Sequence, residues 1–161
     1  MKAKILEGNV LETLKDLPAC SVQCVVTSPP YYGLRDYGMD GQIGLEATPE
    51  AYVETMVKVF REVRRVLKDD GTLWLNLGDS YWTDSAPRKK SSQAFAETWN
   101  PNDSAGNGGK RRTAAKHGDL KNKDLIGIPW MVAFALRADG WYLRQEIIWH
   151  KPNPMPESVT D

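Results

Sequence analysis

Ser28, Pro29, Pro30 and Tyr31 stand together directly after the apolar run Cys24-Val25-Val26-Thr27, and their types and spacing could do chemistry at the end of a strand. Two consecutive prolines cannot extend a ladder, because each lacks an N–H and has its φ fixed. The backbone therefore leaves the sheet at Ser28 in a stiff direction, with the proline carbonyls free to accept hydrogen bonds. In an open α/β sheet, ligands bind beyond the carboxyl ends of the strands. The Ser28 hydroxyl, the Pro29 carbonyl and the Tyr31 ring are expected to converge there on one small volume. That trio suits a flat base carrying an exocyclic amine.

These residues need a sheet to stand on, and the sequence around them supplies its elements. Residues 3–7 read as a short strand. Asn9 is placed to cap a helix whose apolar positions Val10, Leu11, Leu14 and Leu17 follow a helical period, and Pro18 closes it. Val22 to Thr27 is the next strand. The loop from Tyr31 to Gly38 is rich in aromatic residues and glycine, with Arg35 among them. Such a loop suits stacking on an unpaired base and contacting a phosphate, and it also suits a packed cap over the sheet.

Thr48, Pro49 and Glu50 form a strong helix start. The face predicted to be buried is Tyr52, Met56, Val59, Phe60, Val63 and Leu67. Arg61, Arg64, Arg65 and Lys68 read as a solvated helix end that complements the macrodipole. Asp69-Asp70-Gly71 makes a turn into a strand from Thr72 to Leu77, which ends at Gly78-Asp79. Between Thr83 and Lys123 the periodicity disappears. This stretch holds nine Lys and Arg against four Asp and Glu, so it carries +5 while the rest of the chain carries −5. A basic connection of that length suits closing around DNA phosphates. Ile126 to Asp139 reads as a largely buried helix opened by Pro129, with Gly140 just past its end. Trp141 to Trp149 reads as a strand, halted by the prolines at 152, 154 and 156.

Alternation of strand and helix implies a parallel, doubly wound α/β sheet with helices on both faces. The 161 residues make a comfortable single domain, 41% hydrophobic and 26% charged. No apolar run is long enough to span a membrane, and Met1-Lys2-Ala3-Lys4 does not open a signal peptide, so a cytoplasmic location is expected. Cys20 and Cys24, with His117 and His150 far along the chain, are expected to be ordinary buried thiols and not metal ligands.

Ser28-Pro29-Pro30-Tyr31 resembles motif IV of the S-adenosylmethionine-dependent DNA amino-methyltransferases, in which Asp, Asn or Ser precedes Pro-Pro and an aromatic residue. Gly78-Asp79 after the next strand resembles the same family, and the run to Trp149 followed by Lys151-Pro152-Asn153-Pro154 resembles its beta-type members. The resemblance implies about half of a Rossmann-like methyltransferase sheet. It also implies S-adenosylmethionine as cofactor, double-stranded DNA with a flipped base as partner, and a possible restriction endonuclease counterpart. Ser28, Pro29, Pro30 and Tyr31 would then hold the target base, and Asn9, in a Gly-Asn pair before the motif, would contact the cofactor. Serine at the first motif position leans toward cytosine N4, with adenine N6 as the runner-up.

The family's glycine-rich cofactor segment has no counterpart here: Gly106, Gly108 and Gly109 lie in a polar loop without a preceding strand. The chain is therefore expected to be a truncated protein, a fragment of a disrupted gene, or one half of a split enzyme. A non-catalytic DNA-binding remnant is the rival reading.

Overall fold

An 18-residue amphipathic helix is the element against which the rest of this computed structural model packs; the structure describes residues 3–82 and 120–153. The elements in chain order are α1 (Val10–Thr13) with a 3-10 turn (Leu14–Asp16), β1 (Val22–Thr27), α2 (Pro49–Val66), β2 (Leu67–Leu75) and α3 (Ile128–Ala138). α1 and α2 start where local chemistry places them. The Asn9 side chain accepts from Leu11 N at 2.9 Å, and Thr48 Oγ1 accepts from Ala51 N at 3.2 Å with Pro49 in the first turn.

The α2 face built from Tyr52, Met56, Val59, Phe60, Val63 and Val66 is buried, as is Leu67 just after it, against Tyr32 and the α3 stripe Ile128, Val132 and Leu136. Tyr32 and Tyr52 meet with ring centroids 5.7 Å apart. Val25, Leu73 and Leu75 close this core from the sheet.

β1 and β2 are parallel neighbours, with Cys24 opposite Thr72, Val26 opposite Trp74 and Thr27 opposite Leu75. β2 begins earlier than the sequence predicts. Leu67 already pairs with Val22, and the expected turn residues bulge out of the strand between that pair and the next. Gly71 is required there, since a Cβ would come within 2.9 Å of the Lys68 carbonyl oxygen.

The sheet is smaller than expected. Residues 3–7 and 141–149 form no strand and pair with none among the described residues. Apart from Trp141, which packs against the core, their apolar side chains stay in solvent, Ile5 at 92% and Trp149 at 75% exposure. A β-prone run makes a strand only where a neighbour can satisfy its backbone. Helices cover one face of the sheet in the described residues, while the Val26 and Trp74 face stays open. α3 is likewise one-sided, with Trp130 and Phe134 exposed opposite its buried stripe. What the structure shows is a two-strand parallel sheet with helices, compatible with an α/β methyltransferase fold.

Two further expectations need correcting. Cys20 and Cys24 are exposed, because Cys24 points to the open sheet face and Cys20 sits in a turn with φ 52°. Both thiols are expected to react with a thiol reagent in the native chain as fast as in urea; a native rate many-fold slower for either would contradict the fold.

The basic end of α2 is solvated at Arg61, Arg64 and Lys68, but its arginines also clamp other elements to the helix, which the sequence alone does not predict. Arg65 donates to the carbonyls of Leu14 and Leu17 at 2.7 and 3.0 Å. Arg61 pairs with Asp139 at 2.6 Å, and Arg64 donates to the Asp139 carbonyl. The hydrogen bond from Arg61 holds the Asp139 carboxyl below the usual carboxylate range, against a desolvation that pushes it up. A depressed folded pKa contributes stability that is fully present above the unfolded value, about 3.9, and is lost as pH falls through the folded value. Arg61→Ala should therefore unfold more easily than the parent at pH 6, with the gap closing as the pH falls below the ordinary carboxylate value of about 3.9. Urea midpoints across that range check it, and a constant gap would refute the linkage.

Candidate functional site

β1 and β2 run parallel, so their carboxyl ends lie side by side, and the residues that follow them meet. Asn76 N donates to the Thr27 carbonyl at 2.9 Å, which carries the register one step past the strands. Ser28 and Asn76 are thereby placed on either side of Tyr31. Ser28 Oγ donates to Tyr31 Oη at 3.1 Å, and Asn76 Nδ2 donates to the same oxygen at 3.1 Å. Ser28 and Asn76 are exposed and Tyr31 is half-buried, as a site facing a ligand requires.

The turn that carries Tyr31 is held from below. The Tyr52 hydroxyl donates to the Pro30 carbonyl at 2.9 Å, joining the Pro-Pro turn to the core face of α2. Burial, with Glu46 and Tyr31 adding to it, pushes the Tyr52 phenol well above its ordinary range, so it remains a donor. Gly78 lies against the Tyr31 ring, and a Cβ there would fall 2.7 Å from Cε2. On the other side, Gly33 N donates to the Gly44 carbonyl at 2.7 Å and closes the loop that follows. Inside that loop Gln42 bridges Tyr37 N and the Arg35 carbonyl. Leu34, Tyr37 and Met39 stay exposed on it.

Of the predicted site residues, the structure brings Ser28 and Tyr31 into direct contact. Pro29 and Pro30 form the half-buried turn between them, and the Pro30 carbonyl is taken by Tyr52. No hydrogen bond to the Pro29 carbonyl is made among the described residues. Asn9 is exposed and caps α1, so its Oδ1 is occupied by Leu11 N. Residues 83–119, which hold most of the basic stretch, lie outside the described residues, as do the prolines at 154 and 156. An open depression of about 630 Å³ is lined by Asp36, Asp40, Glu46 and Thr55 among others, with no lysine or arginine, which does not suit a phosphate.

One contributor escapes a reading of the sequence alone, and so does the structural role of Asp79, noted there only within Gly78-Asp79. Asn76 is a polar residue in the apolar run from Leu73 to Leu77, and that interruption is the signal that could have found it. Asp79 accepts from Gly127 N at 2.9 Å and from Ile128 N at 3.2 Å. It thus caps α3, whose own N-cap is a glycine at φ 84°.

The arrangement supplies hydroxyl and carbonyl oxygens beside an aromatic ring at a strand end. Residues 22–161 match the family described as DNA methylase. The chain is 51% identical over 163 residues to the type II methyltransferase M.Cfr9I of Citrobacter freundii, covering 99% of this chain and 50% of the relative. It is 52% identical over 161 residues to the type II methyltransferase M.XycI of Xanthomonas campestris pv. cyanopsidis, covering 98% and 49%. With the type II methyltransferase M.SmaI of Serratia marcescens it shares 51% identity over 160 residues, covering 98% and 51%. The chain spans about half the length of these curated relatives.

Proposed function

The chain belongs to the DNA methylase family, and from that premise we propose that residues 1–161 are the N-terminal, base-capturing part of a methyltransferase domain, with residues 83–123 as a basic insertion that closes on DNA. The reaction proposed is methylation of the exocyclic amine of a base flipped out of double-stranded DNA. Cytosine N4 is the preferred acceptor and adenine N6 the alternative. The complete domain would have the Rossmann-like sheet of which β1 and β2 are two strands, and a cytoplasmic location and a restriction endonuclease counterpart accord with the role. No helix in the described residues is long and apolar enough to cross a membrane.

The observation that carries the reading is the meeting of Ser28 and Tyr31 at the carboxyl end of β1, beside Asn76 from β2. An exocyclic amine is a poor nucleophile because its lone pair is delocalised into the ring. Ser28 Oγ and the Pro29 carbonyl would accept its two N–H bonds and draw the nitrogen toward sp³ geometry, so that the lone pair points out of the ring plane. Tyr31 would support the extruded base and offset part of an unstacking cost of a few kcal/mol. Once methylated, the nitrogen is acidic and sheds its proton without a strong base.

S-adenosylmethionine, the cofactor proposed, supplies a methyl group on a sulfonium. Its fit is weaker than that of the base. Asn9 Oδ1 is spent on the α1 cap, which leaves its Nδ2 as the atom to contact a cofactor.

Incubating the chain with methyl-labelled S-adenosylmethionine and unmethylated DNA, then identifying the labelled nucleoside, tests the proposal. Label on cytosine N4 supports it, and label on adenine N6 selects the alternative. No label from a folded sample would overturn methyl transfer by this chain and leave DNA binding as the rival to measure.

A further inference from the structure

Tyr52 makes two contacts that the reaction above does not use. Its hydroxyl donates to the Pro30 carbonyl at 2.9 Å. A carbonyl has no proton to give, so the direction of that bond is fixed. Its ring packs against the ring of Tyr32, with centroids 5.7 Å apart and planes tilted by 54°. Pro30 and Tyr32 are the chain neighbours of Tyr31 on either side. Tyr52 itself is fully buried in the inner face of α2. One rigid side chain thus grips the backbone just before Tyr31 and the side chain just after it. The two prolines have no amide of their own with which to hold the turn. The hydrogen bonds at the tip of Tyr31, to Ser28 and Asn76, are exposed and restrain it less.

We propose that Tyr52 is a positioning residue of the base site, holding Tyr31 between these two anchors so that its ring meets a captured base in one place. The inference rests on the base-capture reading above and adds a residue of the core to it. A stacking platform gives its full worth only when it is already in place, because a ring that must be ordered on binding loses part of that worth as conformational freedom. Removing the hydroxyl alone should therefore weaken capture of a base and leave contacts to phosphate and sugar as they are.

The test uses the full chain and short single strands that carry one base, cytosine or adenine, flanked by abasic sugars, beside a strand that is abasic throughout. The parent should bind at least one base-bearing strand about tenfold more tightly than the abasic strand. Tyr52→Phe keeps the ring against Tyr32, so circular dichroism should show it folded. It should narrow the ratio to about threefold or less, with affinity for the abasic strand unchanged. Val63→Ala, a core truncation further along α2, should keep the parent's ratio. Labelling the rings of the six tyrosines with carbon-13 gives a second readout. The Tyr31 signal, identified by its loss in Tyr31→Phe, should move or broaden in Tyr52→Phe and stay in place in Val63→Ala.

A tenfold ratio kept by Tyr52→Phe would overturn the role of Tyr52, and so would an equal narrowing by Val63→Ala. A parent that binds all three strands alike would overturn the base-capture reading. The ring signal then decides Tyr52 alone: a shift in Tyr52→Phe upholds its hold on Tyr31, and an unmoved signal overturns it.

Discussion

Replacing Ser28 by alanine is expected to lower methyl transfer to DNA by about 10²-fold or more and to leave the melting temperature unchanged. Ser28 is exposed and lies beyond the last residue of β1, so its side chain supports no core contact. Its loss removes the hydroxyl that would accept from the amine and also one of the two donors to Tyr31 Oη. A group aimed at charge that develops during reaction is worth more than an ordinary surface hydrogen bond, because it needs no reorganisation when the bond forms. Ser28→Asp keeps an acceptor and should retain more activity than Ser28→Ala. Initial rates with labelled donor, beside melting curves, decide the matter. An alanine variant as fast as the parent would remove Ser28 from the chemistry.

The second large effect is expected in the core. Phe60→Ala should destabilise the chain by about 3–5 kcal/mol. Phe60 is 1% exposed on the inner face of α2, among the buried side chains that join α2, α3 and the sheet. Truncation loses the transfer energy of the ring and leaves a cavity that rigid neighbours fill only in part. A domain with total stability of about 5–15 kcal/mol would lose a large share of it. Phe134→Ala, on the exposed side of α3 beneath Arg137, should cost no more than about 1 kcal/mol. Urea unfolding of both variants provides the comparison, and equal costs would mean that α3 does not present the faces described.

Much of this arrangement could be read from local sequence, and the rest could not, for a physical reason. β1 is found from Val22 to Thr27 as predicted, because an apolar run that meets two prolines has only one place to end. The caps at Asn9 and Thr48 are equally local, since a side chain bonds an amide two or three residues away. Asn76 beside Ser28 is not local. It depends on β2 pairing with β1 in one register, which the bulge before Thr72 shifts. Asp79 at the start of α3 and Arg61 against Asp139 join residues distant in sequence, and nothing in the spacing of either partner announces the other. Residues 3–7 and 141–149 misled in the opposite direction: their apolar and β-prone residues are genuine, but a strand also needs a neighbour.

The Asp79 contact has a consequence for how the protein can vary. Around it the chain is pinched shut: Ile126 N donates to the Ser80 carbonyl at 3.0 Å, and Trp82 exchanges backbone bonds with Asp124 and Lys123 at 2.7 and 2.9 Å. Tyr81 pairs antiparallel with Leu125 in the same neck. The two stems that flank residues 83–119 are tied directly to each other by these bonds. Closing a loop across fixed ends costs only about 0.6 kcal/mol more for each doubling of its length. The intervening stretch is thus a cassette that can be lengthened, shortened or exchanged while Tyr31 and its neighbours keep their places. Changes in length and sequence can accumulate there independently of the residues that would hold the base.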